Sequence, residues 1–412
     1  MRQRTGDLKF MQELNRSIIF NTIREQGPIS RSDIAKKNKI SPTTVTTAVN
    51  EFIQAGLVYE VGTGQSTGGR KPILIQFNPD GRFLLCLSIT NTTIQIAELN
   101  LQATIRYKKN IHLHSLTGEA FIHFVCDSLE HFLKRFPDLK QCVGVSITVP
   151  GIIDSEKGII KYNSKLQLEN IPLRKIVEEK FHLNTFIEND VNAMALAEKY
   201  YGNSTHSSNL IFLSINEGLG AGILIKGLLF RGYHGGAGEL GHTSINPNGP
   251  QCECGNFGCL ENYVNWSSID SRVQKLLESG YTSCISDLLH QEQTQLTPQI
   301  FTLAVQQEDS LALKIMNETC SYLSIGIVNL VHLFNPQTII IGGMIAKENP
   351  YLIHHIKETI NKRSMNILTE GLEILPSSFK EDAELKGGAA VLLQDLFQFS
   401  INRLLDSIKY DE

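Results

Sequence analysis

One histidine and three cysteines fall close together along the chain: His242, then Cys252, Cys254 and Cys259. An imidazole nitrogen and three thiolates at such spacing suit a tetrahedral zinc ion, and Gly255 and Gly258 permit the tight path between them. Four protein ligands leave no open coordination position, so the cofactor expected is a structural Zn2+. The alternative is a chance cluster of reduced thiols. Either fits a reducing compartment better than a disulfide framework does. The other five cysteines, Cys86, Cys126, Cys142, Cys284 and Cys320, are scattered and read as buried core thiols. Two carboxylates accompany the cluster, Glu239 in Gly238-Glu239-Leu240-Gly241-His242 and Glu261 just beyond Cys259.

Two more constellations carry chemistry. Glu188-Asn189-Asp190-Val191-Asn192 follows an extended run, 184–187, and precedes a helical one, 193–200. A strand end opening onto a helix start is where α/β proteins place binding groups. Asn189 and Asp190 have the donors and acceptors for vicinal hydroxyls; either is equally suited to cap the helix. Gly218-Leu219-Gly220-Ala221-Gly222 follows the strand 210–215. It reads as a phosphate cradle or as a tight hairpin between two strands.

The elements that must position these groups alternate between strand and helix from residue 81 onward. Strands are expected over 84–89 and 94–99 around a turn at Asn91, a helix over 118–136, and a buried strand over 142–149. The class is α/β. Residues 1–80 read differently. A helix over 9–26 is stopped by Gly27-Pro28. Ser30, with Asp33 three residues on, starts a second helix, and Ser41-Pro42 starts a third. The third buries Val45, Ala48, Val49, Phe52 and Ile53 and turns Thr43, Thr44, Thr46, Thr47 and Asn50 outward. Short hydrogen-bonding side chains suit close approach to a DNA groove. Strands over 57–61 and 73–77 flank a glycine-rich connection, 62–72, that ends in Arg70-Lys71-Pro72 and reads as a wing following phosphates. Helix–turn–helix spacing plus wing favours a winged helix-turn-helix over a plain three-helix bundle. The expected DNA-contacting residues are Ser41, Thr43, Thr44, Thr46, Thr47, Asn50, Arg70 and Lys71.

Charge supports that division. The 412 residues carry a net −4, yet residues 1–80 hold 11 Lys/Arg against 7 Asp/Glu, and the remainder 27 against 35. A basic head on an acidic body points to a nucleic-acid partner for the head. The longest apolar stretch, 210–230, is interrupted by Asn216, Glu217 and Lys226, so no membrane span is expected. The polar, basic N-terminus lacks the apolar core of a secretory signal. A cytoplasmic location is expected.

At these residues the sequence resembles the repressor, open reading frame and kinase family across essentially its whole length. The resemblance rests on Val149-Pro150-Gly151, Glu188-Asn189-Asp190 with Asn192 and Glu198, Gly218 to Gly222, Gly238-Glu239 with Gly241-His242, and the cysteine run 252–259. The wing, 65–72, resembles that of the xylose-operon repressors. The resemblance implies a two-lobed actin/hexokinase-like (ribonuclease-H-like) body behind the winged head. The expected domains are 1–80, a first lobe 81–192 completed by a C-terminal helix 390–412, and a second lobe 193–389 carrying the zinc site and a dimerisation surface. It implies a sugar site of Asn189, Asp190, Glu239, His242 and Glu261, and zinc on His242, Cys252, Cys254 and Cys259. Kinase members carry Asp-x-Gly-x-Thr on their first strand, where this chain has Ser88-Ile89-Thr90-Asn91-Thr92. The carboxylate and glycine that serve phosphoryl transfer are both replaced, and Glu217 would repel nucleotide phosphates.

The expected function is therefore a sugar-responsive transcriptional repressor, not an enzyme. Its partners would be operator DNA, a sugar inducer (xylose first, another aldose otherwise) and a second copy, as homodimer or dimer of dimers. A sugar kinase with an accessory DNA-binding head, or a repressor released by a partner protein, are the alternatives.

Overall fold

The computed structural model describes residues 8–64, 71–113, 115–292, 295–379 and 381–399. The chain forms two compact units, 1–188 with 388–412, and 189–387.

The first unit opens with α1 (Leu8–Gln26), β1 (Ile29–Ser30), α2 (Arg31–Asn38), α3 (Pro42–Gln54), β2 (Val58–Thr63) and β3 (Ile73–Phe77). The helix starts are built as the sequence indicates. Ser30 Oγ accepts the Asp33 N–H at 3.1 Å and Ser41 Oγ the Thr44 N–H at 3.1 Å, with Pro42 in the first turn. Between α2 and α3 the chain turns at Lys39, φ 54°. The apolar faces meet on Phe20, fully buried, whose ring lies edge-on to Phe52 (5.4 Å) and Phe77 (5.6 Å). Arg16 grips both oxygens of Glu51 at 2.7 and 2.8 Å and ties α1 to α3. The small sheet runs β1-β3-β2, and β2 and β3 pair antiparallel as the wing's stem. The wing tip, 65–70, with Arg70, lies outside the described residues.

The same unit continues with β4 (Phe83–Ile89), β5 (Thr93–Asn100), β6 (Ile105–His112), α4 (Gly118–Leu133), β7 (Cys142–Val149), β8 (Ile152–Asp154), β9 (Ile159–Asn163), β10 (Leu168–Ile171), α5 (Leu173–Phe181) and β11 (Thr185–Asn189). Its main sheet has the order β11-β7-β4-β5-β6. The second unit holds α6 (Asp190–Tyr201), β12 (Leu210–Ile215), β13 (Leu219–Ile225), β14 (Leu228–Leu229), a 3-10 turn (Leu240–His242), α7 (Glu261–Val264), α8 (Trp266–Glu278), α9 (Cys284–Glu292), α10 (Pro298–Gln306), α11 (Ser310–Phe334), β15 (Thr338–Gly342), α12 (Pro350–Arg363), α13 (Asn366–Thr369) and β16 (Glu373–Pro376). Its sheet has the order β14-β13-β12-β15-β16. A last helix, α14 (Ala383–Phe399), begins in the second unit and ends in the first.

The two main sheets share one plan. Each has an antiparallel three-strand meander, β4-β5-β6 or β12-β13-β14, whose first strand pairs in parallel with the next sheet strand, β7 or β15. The β4–β5 and β12–β13 turns are therefore topological equivalents.

Several sequence expectations need correction. The helix expected from 193 begins at Asp190, and the one expected over 118–136 ends at Leu133. Cys142 and Cys284 are only half-buried. The glycine run, by contrast, is the tight hairpin the sequence offered, with Ser214 opposite Gly220 and Phe212 opposite Gly222. Its glycines serve packing: a Cβ on Gly222 would lie 2.6 Å from the Val191 carbonyl oxygen, and one on Gly220 2.8 Å from a Val191 methyl. Backbone-level approach of α6 to β13 is what excludes side chains there.

Candidate functional site

The start of α6 divides the roles that the sequence left open. Asn189 is the N-cap, accepting the Asn192 N–H at 3.0 Å on Oδ1. Asp190, one residue later, is the first helical residue, so its carboxylate is not the cap. It receives hydrogen bonds from its own and the Val191 backbone N–H. These are outweighed by burial and by the nearby carboxylates Glu384 and Glu239, which together push its pKa up to about 7. Glu188, ahead of them, is buried and accepts from Ser155 Oγ at 3.0 Å. Glu198, also buried, accepts from Ser377 Oγ and the Ser378 N–H, each at 2.7 Å, and fixes α6 to the chain after β16.

The metal-type residues converge. The ligand atoms of His242, Cys252, Cys254 and Cys259 all lie within 4.8 Å of one another. Cys252 Sγ is 3.6 Å from His242 Nδ1, and Cys254 Sγ is 3.6 Å from Cys259 Sγ. A tetrahedral zinc with ordinary bond lengths separates two sulfurs by about 3.8 Å and a sulfur and nitrogen by about 3.6 Å, so the donor set fits that ion. The chain path is equally specific. Gly258 (φ 65°) passes so close to Asn246 that a Cβ would sit 1.7 Å from its carbonyl oxygen, and Gly255 has φ 89°. Without a cation the thiols resist joint ionisation: burial and the hydrogen bonds to its sister cysteines push Cys259 up to about 12.

The acidic residues are placed around this cluster. His242 turns its other nitrogen, Nε2, toward Glu239 at 3.9 Å, an electrostatic separation longer than a hydrogen bond. The Glu239 side chain is 43% exposed, yet the protein packed around its carboxylate desolvates it and raises its pKa, with Glu261 adding to the rise. Glu261 Oε2 accepts the Leu219 N–H at 2.9 Å, so this carboxylate anchors the β12–β13 hairpin. Asp190, Glu239, His242 and Glu261 thus form one chain of electrostatic neighbours, joined through His242 to the cysteine cluster. Glu384, in the first turn of α14, belongs beside Asp190 and was missed from the sequence; it is half-buried, with its own pKa raised by burial.

The β4–β5 turn is closed on itself, and the β12–β13 turn is tied to the chain after β15. In β4–β5, Thr90 Oγ1 accepts the N–H groups of Thr92 (3.2 Å) and Thr93 (2.9 Å). In β12–β13, Asn216 accepts the Met344 N–H on Oδ1 at 2.7 Å and donates through Nδ2 to Ser214 Oγ at 2.9 Å.

On the head, α3 exposes Thr43, Thr46, Thr47 and Asn50, with Thr44 half-buried. Ser41 and Thr44 spend their hydroxyls on the cap, and Thr46 Oγ1 donates to the Pro42 carbonyl at 2.8 Å. Asn50 Oδ1 accepts from Arg31 at 3.2 Å, and Arg31 also reaches Glu60 on β2 at 3.1 Å. Arg31 was not singled out from the sequence, since its partners are distant along the chain. Lys71 is exposed at the wing's base.

Comparisons with known proteins agree with this architecture. The ROK family model matches residues 84–395 and the MarR family model residues 18–60. The xylose repressor of Caldicellulosiruptor bescii is 33% identical over 396 residues, covering 96% of this chain and 99% of that protein. The DNA-binding transcriptional dual regulator NagC of Escherichia coli (strain K12) is 29% identical, covering 98% of each. The crystal structure of a ROK family transcriptional regulator, a homologue of the E. coli MLC protein, superposes with a TM-score of 0.86 at 29% identity, covering 96% of this chain and 99% of that one. The fold is a MarR-type winged helix-turn-helix ahead of an actin/hexokinase-like body. This chain belongs to the ROK family.

Proposed function

We propose that this chain is a transcriptional repressor that binds operator DNA through α3 and the wing and is released by a sugar bound at the start of α6. The observation that carries the reading is the union, in one chain, of an exposed threonine face on a winged head with a body that gathers Asp190, Glu239 and Glu261, carboxylates of a kind that suits hydroxyls. Thr43, Thr47 and Asn50 would read base edges, Thr44 and Thr46 would add methyl contacts, Ser41 and Lys71 would meet phosphates, and so would Arg70. Asn189, Asp190, Glu239, His242 and Glu261 would hold sugar hydroxyls. Near neutrality Asp190 can donate as well as accept, which suits a hydroxyl. A Zn2+ on His242 Nδ1, Cys252, Cys254 and Cys259 would supply structural rigidity, fixing His242 and, through it, Glu239. A dimer would present two α3 helices to half-sites about one DNA turn apart.

Xylose is the first candidate ligand, because a 33% identical relative is named a xylose repressor. The relationship to NagC keeps other sugars in the test. The body is proposed to bind without phosphorylating: Thr90 occupies the backbone N–H groups that a phosphate loop would offer. One observation favours kinase activity instead, the Asp190 pKa near 7, which is suited to a general base. A coupled ATP assay with a panel of sugars decides between them.

The central test is a gel-shift on the DNA upstream of the protein's own gene, titrated with xylose, glucose and N-acetylglucosamine. Retardation that one sugar reverses supports the reading. Retardation that none reverses removes the free sugar as inducer, and no retardation removes the repressor.

A further inference from the structure

We propose that Arg31 is a positioning residue of the head: it turns the Asn50 amide so that Asn50 reads a guanine edge as a donor instead of pairing with adenine. The proposal rests on the reading of α3 as the DNA-contacting helix. Arg31, the first residue of α2, stands where three elements of the head meet. Its backbone is held from behind, because Ser30, immediately before it, is buried, pairs with Leu74 of β3 and caps α2. One terminal nitrogen of the guanidinium donates to Asn50 Oδ1 on α3 at 3.2 Å, and the other to Glu60 Oε1 on β2 at 3.1 Å. The remaining nitrogen, Nε, is buried. Two partners and the surrounding packing thus set the plane of the fork. Glu60 lies beside the irregularity at which β2 and β3 change register, between Glu60 and Gly62, at the base of the wing. Arg31 therefore ties the reading helix to the wing's stem.

The chemistry of the contact fixes the sense of the amide. A guanidinium only donates, so it is the oxygen of Asn50 and never the nitrogen that faces it. Nδ2 then lies on the opposite side of Cγ, on a residue exposed along the same face as Thr43, Thr46 and Thr47. In the major groove asparagine reads adenine bidentately, Oδ1 accepting from N6 and Nδ2 donating to N7. Turning Oδ1 toward Arg31 withholds half of that pair. A lone Nδ2 donor suits an edge that offers acceptors without a donor, and guanine presents N7 and O6 side by side. The Arg31 charge is already paired with Glu60, which argues against a phosphate contact as its main role.

The test is selection by the full chain, as wild type, Asn50→Ala, Arg31→Met and Arg31→Lys, on a pool of random-sequence DNA duplexes, followed by binding to single-base-pair variants of the enriched site. Asn50→Ala identifies the base pair that Asn50 reads, as the one whose preference it loses. At that pair the wild type should favour guanine over adenine by about fivefold or more. Arg31→Met, which keeps the stem and removes every donor, should shift the preference to adenine while leaving the other base pairs and the salt dependence of binding unchanged. Arg31→Lys keeps the charge without the fork and should reduce the guanine preference; it serves if Arg31→Met does not fold. A guanine preference of full size in every folded Arg31 variant overturns the proposal. So does a wild-type preference other than guanine, or an Asn50→Ala variant that loses preference at no base pair. A loss of affinity uniform across sequences, with a shallower salt dependence, makes Arg31 a phosphate contact and overturns it too. Enrichment of no sequence by the wild type is a different failure, that of α3 as a DNA reader, and takes the proposal with it.

Discussion

Replacing Asp190 by Asn should make the protein more stable at pH 8. An unfolded aspartate releases its proton near 3.8, whereas folded Asp190 holds it to about 7. Between those values the folded state binds the extra proton, so stability is fully present below about pH 4 and falls as pH rises through the window. Three pKa units at 1.36 kcal/mol each set a ceiling of about 4 kcal/mol; partial solvent access to the carboxylate lowers the expectation to about 2–4 kcal/mol. The asparagine keeps the shape and loses the charge that burial, Glu384 and Glu239 all oppose. Chemical unfolding of the wild type and Asp190→Asn from pH 5 to 8, followed by a probe within 189–387, measures this. The wild-type curve should decline by up to about 1.4 kcal/mol per pH unit more steeply than the variant's. Parallel curves, or a variant no more stable at pH 8, would refute the account of Asp190 as a carboxylate kept in place against its own stability.

Three further outcomes are expected. Cys254→Ala should reduce zinc, measured by atomic emission, from one ion per chain to none, and raise amide exchange over 242–260; retained zinc would refute the ligand set. Thr47→Ala should weaken operator binding by about 5- to 150-fold, equivalent to about 1–3 kcal/mol, with an unchanged melting temperature, because its hydroxyl faces solvent on α3. Phe20→Ala should cost about 3–5 kcal/mol in stability of the head, read by helical circular dichroism; a loss below about 1 kcal/mol would mean the aromatic cluster is not its core.

Features set by short-range chemistry were legible in the sequence. Ser30 and Ser41 cap helices because their side chains bond to amides three residues on, and the cysteine spacing forced a compact loop. The α1–α3 pattern and the strand 142–149 were readable from periodicity. What was hidden depends on groups that meet only after folding. Gly220 and Gly222 could serve a cradle or a hairpin; the α6 backbone decides, and nothing near them in the chain announces it. Asn189 and Asp190 both suit a cap, and a helix starting three residues earlier than expected assigned that role to Asn189. Glu384 sits in an unremarkable turn, and its meaning arises solely from the distant Asp190. Arg31 likewise acquires its place from Asn50 and Glu60.

The self-closed β4–β5 turn carries a consequence for any attempt to convert this body into a phosphotransferase. In the Asp-x-Gly-x-Thr register the glycine falls at Thr90, so supplying only an acidic residue, at Ser88, would leave the amides of Thr92 and Thr93 engaged with Thr90 Oγ1. An incoming phosphate would compete with a preformed intramolecular acceptor for the same donors. Thr90→Gly is therefore the change that frees these donors, because it removes the competing acceptor and supplies the motif's glycine in one step.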